Sequence, residues 1–257
     1  MTLRRFSVAG DEAAAGALEL PLPGAGPDGP RAFLSPLAAG DMSLRTPEGN
    51  ERRAAWLARL GCGRGVAAPN MAHTRRALLC PSASEAPTQE ADGLVTGPDG
   101  PALVVTVADC MPIMLHDPDS GAYAALHSGW KGTGIMAEGL RLLVERFGAR
   151  PSRVTACLGP HIGPCCYAVD EARARAFAAE FGRAAAELGE DGRYRLKLRE
   201  ANLALAERLG LGQVAVADDC TACSPALGSY RRQGPDAFTR MAAVVGFGLS
   251  RGSGPAR

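Results

Sequence analysis

The chain has 257 residues and a formal net charge of +1. Hydrophobic residues make up 46% of it and charged residues 21%, close to the averages of globular proteins. The small net charge gives no indication of a nucleic-acid or anionic-membrane partner, and the longest apolar run, residues 102–108, is far too short to span a bilayer. The N-terminal residues lack the apolar core of a signal peptide, so we expect a cytoplasmic protein.

The predicted elements begin with a poorly periodic segment that is rich in glycine, proline and alanine. The first predicted helix covers 51–60, where Trp56 and Leu60 lie four residues apart and Gly61 follows the end. Asp170 is a predicted cap of a later helix. The other predicted helices are 134–147, 171–181 and 199–209, and the predicted strands are 18–23, 31–35, 102–107, 113–116, 123–127, 153–158 and 213–217.

The order of these elements favours one fold class. Strands and helices mix without a regular βαβ rhythm, which favours an α+β layered sandwich over a doubly wound sheet. The length fits a single domain over residues 1–257. We expect its first part, 1–50, to be divergent and its C-terminal tail, 251–257, to be frayed.

A cysteine and a histidine with metal-binding potential lie at the ends of strand-like runs. Cys110 comes shortly after strand 102–107, and His127 ends strand 123–127. Paired strands bring their ends together, so we expect the thiolate and the imidazole to meet and to bind a transition metal. Asp109 is expected to hydrogen-bond a metal ligand or to accept a proton. A buried, unreactive cysteine is the competing interpretation.

The residues that follow this histidine have the chemistry of a binding site. Gly129 and Gly132 permit close backbone approach, and they precede a helix whose free N–H groups favour an anion. Ser128 and Lys131 add a hydroxyl and a positive charge. Trp130 offers a face on which a ring could stack, although a core anchor is the alternative.

Two further cysteine pairs have open interpretations. Cys165 and Cys166 are adjacent in an irregular loop rich in glycine and proline, and neighbouring cysteines do not readily bond each other. Cys220 and Cys223 have the two-residue spacing of a zinc knuckle, but no second pair at ribbon spacing accompanies them. The sequence does not place these four cysteines inside or outside a pocket.

Paired guanidinium groups occur near the C-terminal end. Arg231 and Arg232 follow Ser229 and Tyr230. Such a pair suits a phosphate or a carboxylate. Solvated arginines are the common alternative.

Together these motifs resemble the YfiH/laccase-domain family, also called the multicopper polyphenol oxidase laccase-like family, which includes bacterial enzymes of the purine nucleoside phosphorylase type. The resemblance covers roughly residues 50–247 and implies a layered α/β/β/α sandwich. The segments that carry it are 108–112, 127–132, 159–167, 200–202, 220–223 and 229–232.

The resemblance implies a metal site of one cysteine and two histidines, generally occupied by zinc. Cys110 and His127 match two of these ligands. His73 takes the place of the third, although Met-Ala-His stands here where the family has Gln-Val-His-Gly. Ala168 stands where the family often has glutamate, and no Arg-Gly-Gly stretch is evident over 33–40.

The resemblance further implies phosphorolysis of purine nucleosides, in which phosphate attacks the ribose C1′ and the base leaves. Deamination of adenosine is expected alongside, since three protein ligands leave zinc a position for water. Only a small-molecule nucleoside and phosphate are expected as partners. The implied catalytic residues are Asp109, Cys110 and His127, the implied phosphate ligands are Lys131, Arg231 and Arg232, and Ser128 and Trp130 complete the substrate-binding set.

Three alternatives remain open. A copper polyphenol oxidase is one, since Met111 and Met114 are close to the cysteine in sequence, but a laccase needs about ten histidines and the chain has four. A peptidoglycan-editing hydrolase would use the same cysteine and zinc. A zinc-binding module without catalysis would bind the metal but turn over no substrate.

Overall fold

The computed structural model describes residues 1–8 and 16–251. The helices are α1 (Pro47–Arg59), α2 (Ile135–Phe147), α3 (Glu171–Phe181), α4 (Leu198–Arg208) and the short α5 (Tyr230–Gln233). The strands are β1 (Thr2–Phe6), β2 (Leu18–Leu20), β3 (Arg31–Leu34), β4 (Val66–Ala67), β5 (Ala77–Leu79), β6 (Gly93–Thr96), β7 (Ala102–Val107), β8 (Met111–His116), β9 (Tyr123–Ser128), β10 (Thr155–Leu158), β11 (Ala168–Val169), β12 (Ala186–Leu188), β13 (Tyr194–Leu196), β14 (Gln213–Ala217) and β15 (Met241–Gly246).

These strands form two large sheets and one small one. The seven-stranded sheet has the order β1-β14-β10-β8-β9-β6-β5, and the five-stranded sheet has the order β2-β3-β15-β7-β4. The small sheet has the order β11-β13-β12. Both large sheets mix parallel and antiparallel pairs, which confirms the α+β class.

Three hydrophobic clusters lie between the two large sheets and between these sheets and the helices. In β7, Val105 belongs to a cluster with Met114 and Tyr123 of the seven-stranded sheet. Its neighbour Val104 belongs to another cluster, with Trp56 of α1. Alternate residues of a strand point to opposite faces, so the five-stranded sheet packs on the other sheet with one face and on α1 with the other. A third cluster covers the remaining face of the seven-stranded sheet with α2, α3 and α4, in agreement with the α/β/β/α sandwich.

The predicted helices and strands with clear periodicity are confirmed, several of them with shifted ends. Helix α1 begins earlier than predicted, because Thr46 caps it by accepting a hydrogen bond from the Gly49 N–H and Pro47 suits the first turn. The cap at Asp170 is confirmed. Strand β10 begins later than predicted, because the Arg153 N–H bonds to the Arg150 carbonyl in a turn.

Several strands were not predicted, and two matter most. Strand β15 is central to the five-stranded sheet, and β1 forms an edge of the seven-stranded sheet. The predicted tail lies almost wholly outside the described residues. No described helix combines the length and the apolar composition that crossing a membrane requires.

One expectation about strand pairing was wrong. Strands β7 and β9, at whose ends Cys110 and His127 were predicted to meet, belong to different large sheets. Cys110 instead directly precedes β8, which pairs antiparallel with β9, so that Pro112 lies opposite His127. The two residues meet because the beginning of β8 lies beside the end of β9.

Candidate metal centre and its cavity

Three side chains that bind metals converge where β8 begins. His73, Cys110 and His127 each offer a ligand atom, and these atoms all lie within 4.8 Å of one another. The two imidazole rings are 5.0 Å apart and nearly perpendicular. The structure thus brings together the three residues that the sequence analysis assigned to a metal.

The buried carboxylate of Asp92, which the sequence did not indicate, holds His73 and His127 in position. Asp92 Oδ1 lies 2.9 Å from His127 Nδ1, and the His73 N–H donates to the same carboxylate at 3.0 Å. The N–H and hydroxyl groups of Thr74 also donate to it. His73 has a backbone φ of 59°, which is uncommon for a residue with a side chain. Asp92 holds the His73 loop in this conformation and leaves His127 Nε2 free to face the thiol.

The electrostatics of the centre favour a charged thiolate–imidazole pair. Burial alone would raise the pKa of the Cys110 thiol, but the charge of His127 and hydrogen bonds from His127 and His73 lower it. Burial alone would lower the pKa of His127, whereas the Cys110 thiolate and the bond to Asp92 raise it. The thiolate is the form that binds metals.

Two glycines leave space beside the Cys110 sulfur atom and the His127 carbonyl group. A Cβ atom at Gly129 would lie 2.7 Å from Cys110 Sγ, and one at Gly132 would lie 3.1 Å from the His127 carbonyl oxygen. Both glycines therefore allow close approach, as expected. The helix that follows begins at Ile135, after a turn in which the Thr133 N–H and hydroxyl both bond to the Gly129 carbonyl.

Asp109 links the centre to two other segments. It has a backbone φ of 84°. Its Oδ1 accepts a hydrogen bond from the Thr221 hydroxyl at 2.6 Å, and its Oδ2 accepts one from the Arg231 N–H at 2.7 Å. These bonds give the carboxylate a positioning role, and each oxygen keeps a lone pair for a proton.

A cavity of about 470 Å³ opens over the three side chains of the candidate metal centre. Its volume falls in the range of small-molecule sites. Trp130, Tyr167, Tyr230 and Phe238 give it aromatic surface, and Tyr230 packs edge to face on Phe238 with 5.0 Å between ring centroids. The guanidinium-bearing residues that line it are Arg45, Arg173, Arg231 and Arg240.

The predicted substrate-binding residues divide into two groups. Trp130 and Arg231 line the cavity, whereas Ser128, Lys131 and Arg232 are absent from its lining. Ser128 is fully buried. Arg232 donates to the carbonyl groups of Thr221, Ser224 and Leu227 and so stabilises the loop over residues 221–227. Arg231 also donates to the Cys166 and Ala168 carbonyls.

The sequence did not indicate three of the cavity arginines, because nothing in their local sequence distinguishes them from arginines on the surface. Arg45 precedes α1 and donates to the Met71 carbonyl at 3.0 Å. Arg173 lies in the first turn of α3, with its guanidinium carbon 4.6 Å from the Trp130 ring centroid. Arg240 directly precedes β15 and lies 4.0 Å from the Phe238 ring centroid. No local motif marks any of the three.

The fold and the site define a mixed α/β protein with a cysteine–histidine centre at the base of a cavity. The family described as multi-copper polyphenol oxidoreductase laccase matches residues 39–248, and the chain therefore belongs to that family. This confirms the resemblance to YfiH-like proteins.

Individual relatives agree with this assignment. The chain is similar to a purine nucleoside phosphorylase of Deinococcus radiodurans, with 39% identity over 170 residues that cover 65% of this chain and 66% of the relative. It is also similar to purine nucleoside phosphorylase YlmD of Geobacillus stearothermophilus, with 33% identity over 162 residues, 60% of this chain and 59% of the relative. The chain thus spans less than two thirds of the length of these curated relatives.

Solved structures show the same fold. The crystal structure of YlmD from Geobacillus stearothermophilus superimposes with a TM-score of 0.79 at 26% identity, over 92% of this chain and 97% of that one. The Bacillus licheniformis hypothetical protein YfiH superimposes with a TM-score of 0.73 at 26% identity, over 85% and 92% of the two chains.

Proposed function

We propose that this protein is a zinc-dependent purine nucleoside phosphorylase with accompanying adenosine deaminase activity. The observation that supports this function is the position of His73, Cys110 and His127 in a cavity that also presents aromatic rings and guanidinium groups. The names of the Deinococcus and Geobacillus relatives agree with this class of enzyme. The substrates are a small purine nucleoside and inorganic phosphate.

The donor set suits zinc. One thiolate and two imidazoles are common zinc ligands, and three protein ligands leave one of four positions open, as in catalytic sites. Zinc bound there would supply a Lewis acid and lower the pKa of a water molecule, which is the chemistry that deamination needs. Asp92 orients His127 through Nδ1 and so directs Nε2 toward the metal position.

The aromatic wall suits a purine ring. Trp130, Tyr167, Tyr230 and Phe238 line the same cavity as the metal-binding side chains. Aromatic pairs stack offset or edge to face, and a purine offers such a face and edge. Burial of the base between these rings would exclude water from the bond between the base and the ribose.

The arginines suit the phosphate. A guanidinium group carries five N–H donors and matches a phosphate oxygen pair. Arg45 donates one of these to Met71, and the remaining donors are available to a ligand. In phosphorolysis a phosphate oxygen forms a bond to C1′, the bond from C1′ to N9 breaks, and its electron pair leaves with the base, which takes up a proton. Asp109, which lines the cavity, is our candidate for handling that proton.

Chromatography of reaction products tests the proposal. Metal-quantified protein is incubated with adenosine or inosine, with and without phosphate. Free base and ribose 1-phosphate should form only with phosphate, and inosine should form from adenosine without it. A fully zinc-loaded protein that yields none of these products would contradict the proposal.

A further inference from the structure

Four cysteine side chains outside the cavity's metal centre converge on one point. The sulfur atoms of Cys165, Cys166, Cys220 and Cys223 all lie within 4.8 Å of one another. They come from two loops, one after β10 and one after β14. These strands are parallel neighbours in the seven-stranded sheet, so both loops begin at the C-terminal ends of strands that lie side by side.

The spacing of the sulfur atoms fits a tetrahedral metal site. Cys223 Sγ lies 3.4 Å from Cys166 Sγ and 3.6 Å from Cys165 Sγ. Four sulfur atoms at about 2.3 Å from a central zinc are about 3.8 Å from each other. A disulfide requires about 2.05 Å between sulfur atoms, and all four cysteines are free thiols.

The backbone around the cluster is shaped for these sulfur atoms. The Gly163 N–H donates to Cys220 Sγ at 3.2 Å, and N–H groups commonly stabilise thiolates in this way. A Cβ atom at Gly163 would lie 3.2 Å from Cys165 Sγ and from Cys220 Cβ. The Cys223 N–H bonds to the Cys220 carbonyl, which closes the turn between these two cysteines.

We propose that Cys165, Cys166, Cys220 and Cys223 bind a second zinc ion, in a closed structural site. Four thiolates complete the coordination of zinc and leave no open position for a substrate. The pattern differs from a zinc ribbon because one cysteine pair is adjacent in sequence rather than separated by two residues. Folding brings Cys165 and Cys166 beside Cys220 and Cys223, although the spacing of cysteines along the chain does not indicate that the two pairs meet.

This second zinc ion would stabilise the side of the cavity beside the two cysteine-bearing loops. Tyr167, which follows Cys166, lines the cavity, and Thr221, which follows Cys220, donates to Asp109. The Arg231 side chain bonds to the Cys166 carbonyl at 2.9 Å. A metal that joins the two loops would therefore fix these two hydrogen bonds and the position of Tyr167 without touching the substrate.

Metal content per chain tests the inference independently of any enzymatic activity. Protein is purified with a reductant, and zinc is quantified in the wild type, in Cys110→Ala and in Cys220→Ser/Cys223→Ser. We expect two zinc ions per chain in the wild type and one in each variant. If the wild type held no more than one zinc ion per chain and Cys110→Ala held none, the second site would be overturned.

Cobalt spectroscopy on Cys110→Ala provides a measurement that does not depend on the folding of the double variant. Cobalt at four thiolates gives intense tetrahedral bands and thiolate-to-metal charge transfer, and we expect both to persist in this protein. Their absence would overturn the inference, as would a disulfide among the four cysteines in reductant-purified protein. The outcome does not depend on whether nucleosides are turned over.

Thiol accessibility gives a second check on the same protein. Cys165 and Cys223 are exposed, so free thiols at these positions would react rapidly with a thiol reagent. We expect slow reaction in the zinc-loaded protein and rapid reaction after a chelator removes the metal. Rapid reaction in both states would contradict the second site.

Discussion

Asp92 and His127 are 35 residues apart in the sequence, and a hydrogen bond joins His127 Nδ1 to Asp92 Oδ1 over 2.9 Å. The carboxylate is fully buried, and its hydrogen bonds hold its pKa below the usual value despite the burial. The same carboxylate accepts the His73 N–H. One side chain thus orients both histidines of the candidate metal centre.

The Asp92→Asn variant should bind zinc about 10- to 100-fold more weakly, because it loses the charged group that orients His127 and the His73 loop. Competition with a chelator of known affinity measures this. Asp99→Asn is the matched control, since the Asp99 side chain is fully exposed. Equal zinc affinity in the two variants would show that Asp92 has no orienting role.

Replacement of Cys110 by alanine should remove zinc from the cavity and lower turnover of both adenosine and inosine by about a hundredfold or more. The thiolate is a proposed metal ligand, and alanine offers no substitute. Cys62→Ser, in a different hydrophobic cluster, is the control and should retain both metal and activity. Wild-type turnover in Cys110→Ala would exclude this metal centre from catalysis.

Alanine at Gly129 should displace the Cys110 thiol, because the added Cβ would lie only 2.7 Å from its sulfur atom. We expect weaker cobalt binding at the cavity and an altered charge-transfer band. Gly26→Ala is the control, since nothing lies within 4 Å of a Cβ built there. An unchanged cobalt spectrum would mean that the thiol position is not critical.

Arg45 should contribute to phosphate binding, since it lines the cavity and has unused N–H donors. In Arg45→Gln we expect the KM for phosphate to rise about tenfold or more, with a smaller effect on the KM for the nucleoside. Initial rates at varied phosphate measure this. The control is Arg59→Gln, in the last turn of α1 and absent from the cavity lining. Equal effects on both KM values would argue against a phosphate site there.

The stability of the fold should decline in mild acid through His116. This imidazole is 3% exposed, and burial lowers its pKa to about 4 from 6.5. Between these two values the unfolded chain binds a proton and the folded chain does not, so stability falls as the pH falls. The loss attributable to His116 is about 2 kcal/mol at pH 5.

Urea unfolding of the wild type and His116→Leu at pH 7 and pH 5 measures this contribution. The buried Nδ1 atom of His116 has no hydrogen-bond partner in the described structure, so leucine removes the titrating group without breaking a bond. The decline in the free energy of unfolding should be smaller in the variant. Equal declines would assign the acid sensitivity to other groups, such as His161, whose pKa burial also lowers.

The fold class and several parts of the centre could be predicted from the sequence. The limits of β7 and β14 were predicted correctly, since Gly100 and Pro101 precede the apolar run of β7 and Asp218 follows that of β14. Strand β15 was missed because half of its run Met-Ala-Ala-Val-Val-Gly consists of alanine and glycine, which have low strand propensity. Its identity as a strand depends on pairing with β3 and β7, which lie far away along the chain.

The remaining parts of the site depend on tertiary contacts. Asp92 directly precedes β6 and follows Glu90 by two residues, and only its hydrogen bonds to the His127 ring and the His73 loop distinguish it. Arg232 was expected to bind phosphate as part of an arginine pair, but it is directed to backbone carbonyls. Adjacent arginines in a short helix point in different directions, so their proximity in sequence does not imply a common ligand.

The side chains of the candidate metal centre and the arginines of the cavity lie on largely separate stretches of the chain. Cys110 directly precedes β8 and His127 lies in β9, whereas Arg45, Arg173 and Arg240 lie at or just before the beginnings of α1, α3 and β15. Substitution of these arginines would therefore change the charge of the cavity without replacing a side chain of the candidate metal centre. The ligand preference of the cavity can therefore vary while the candidate metal centre is retained.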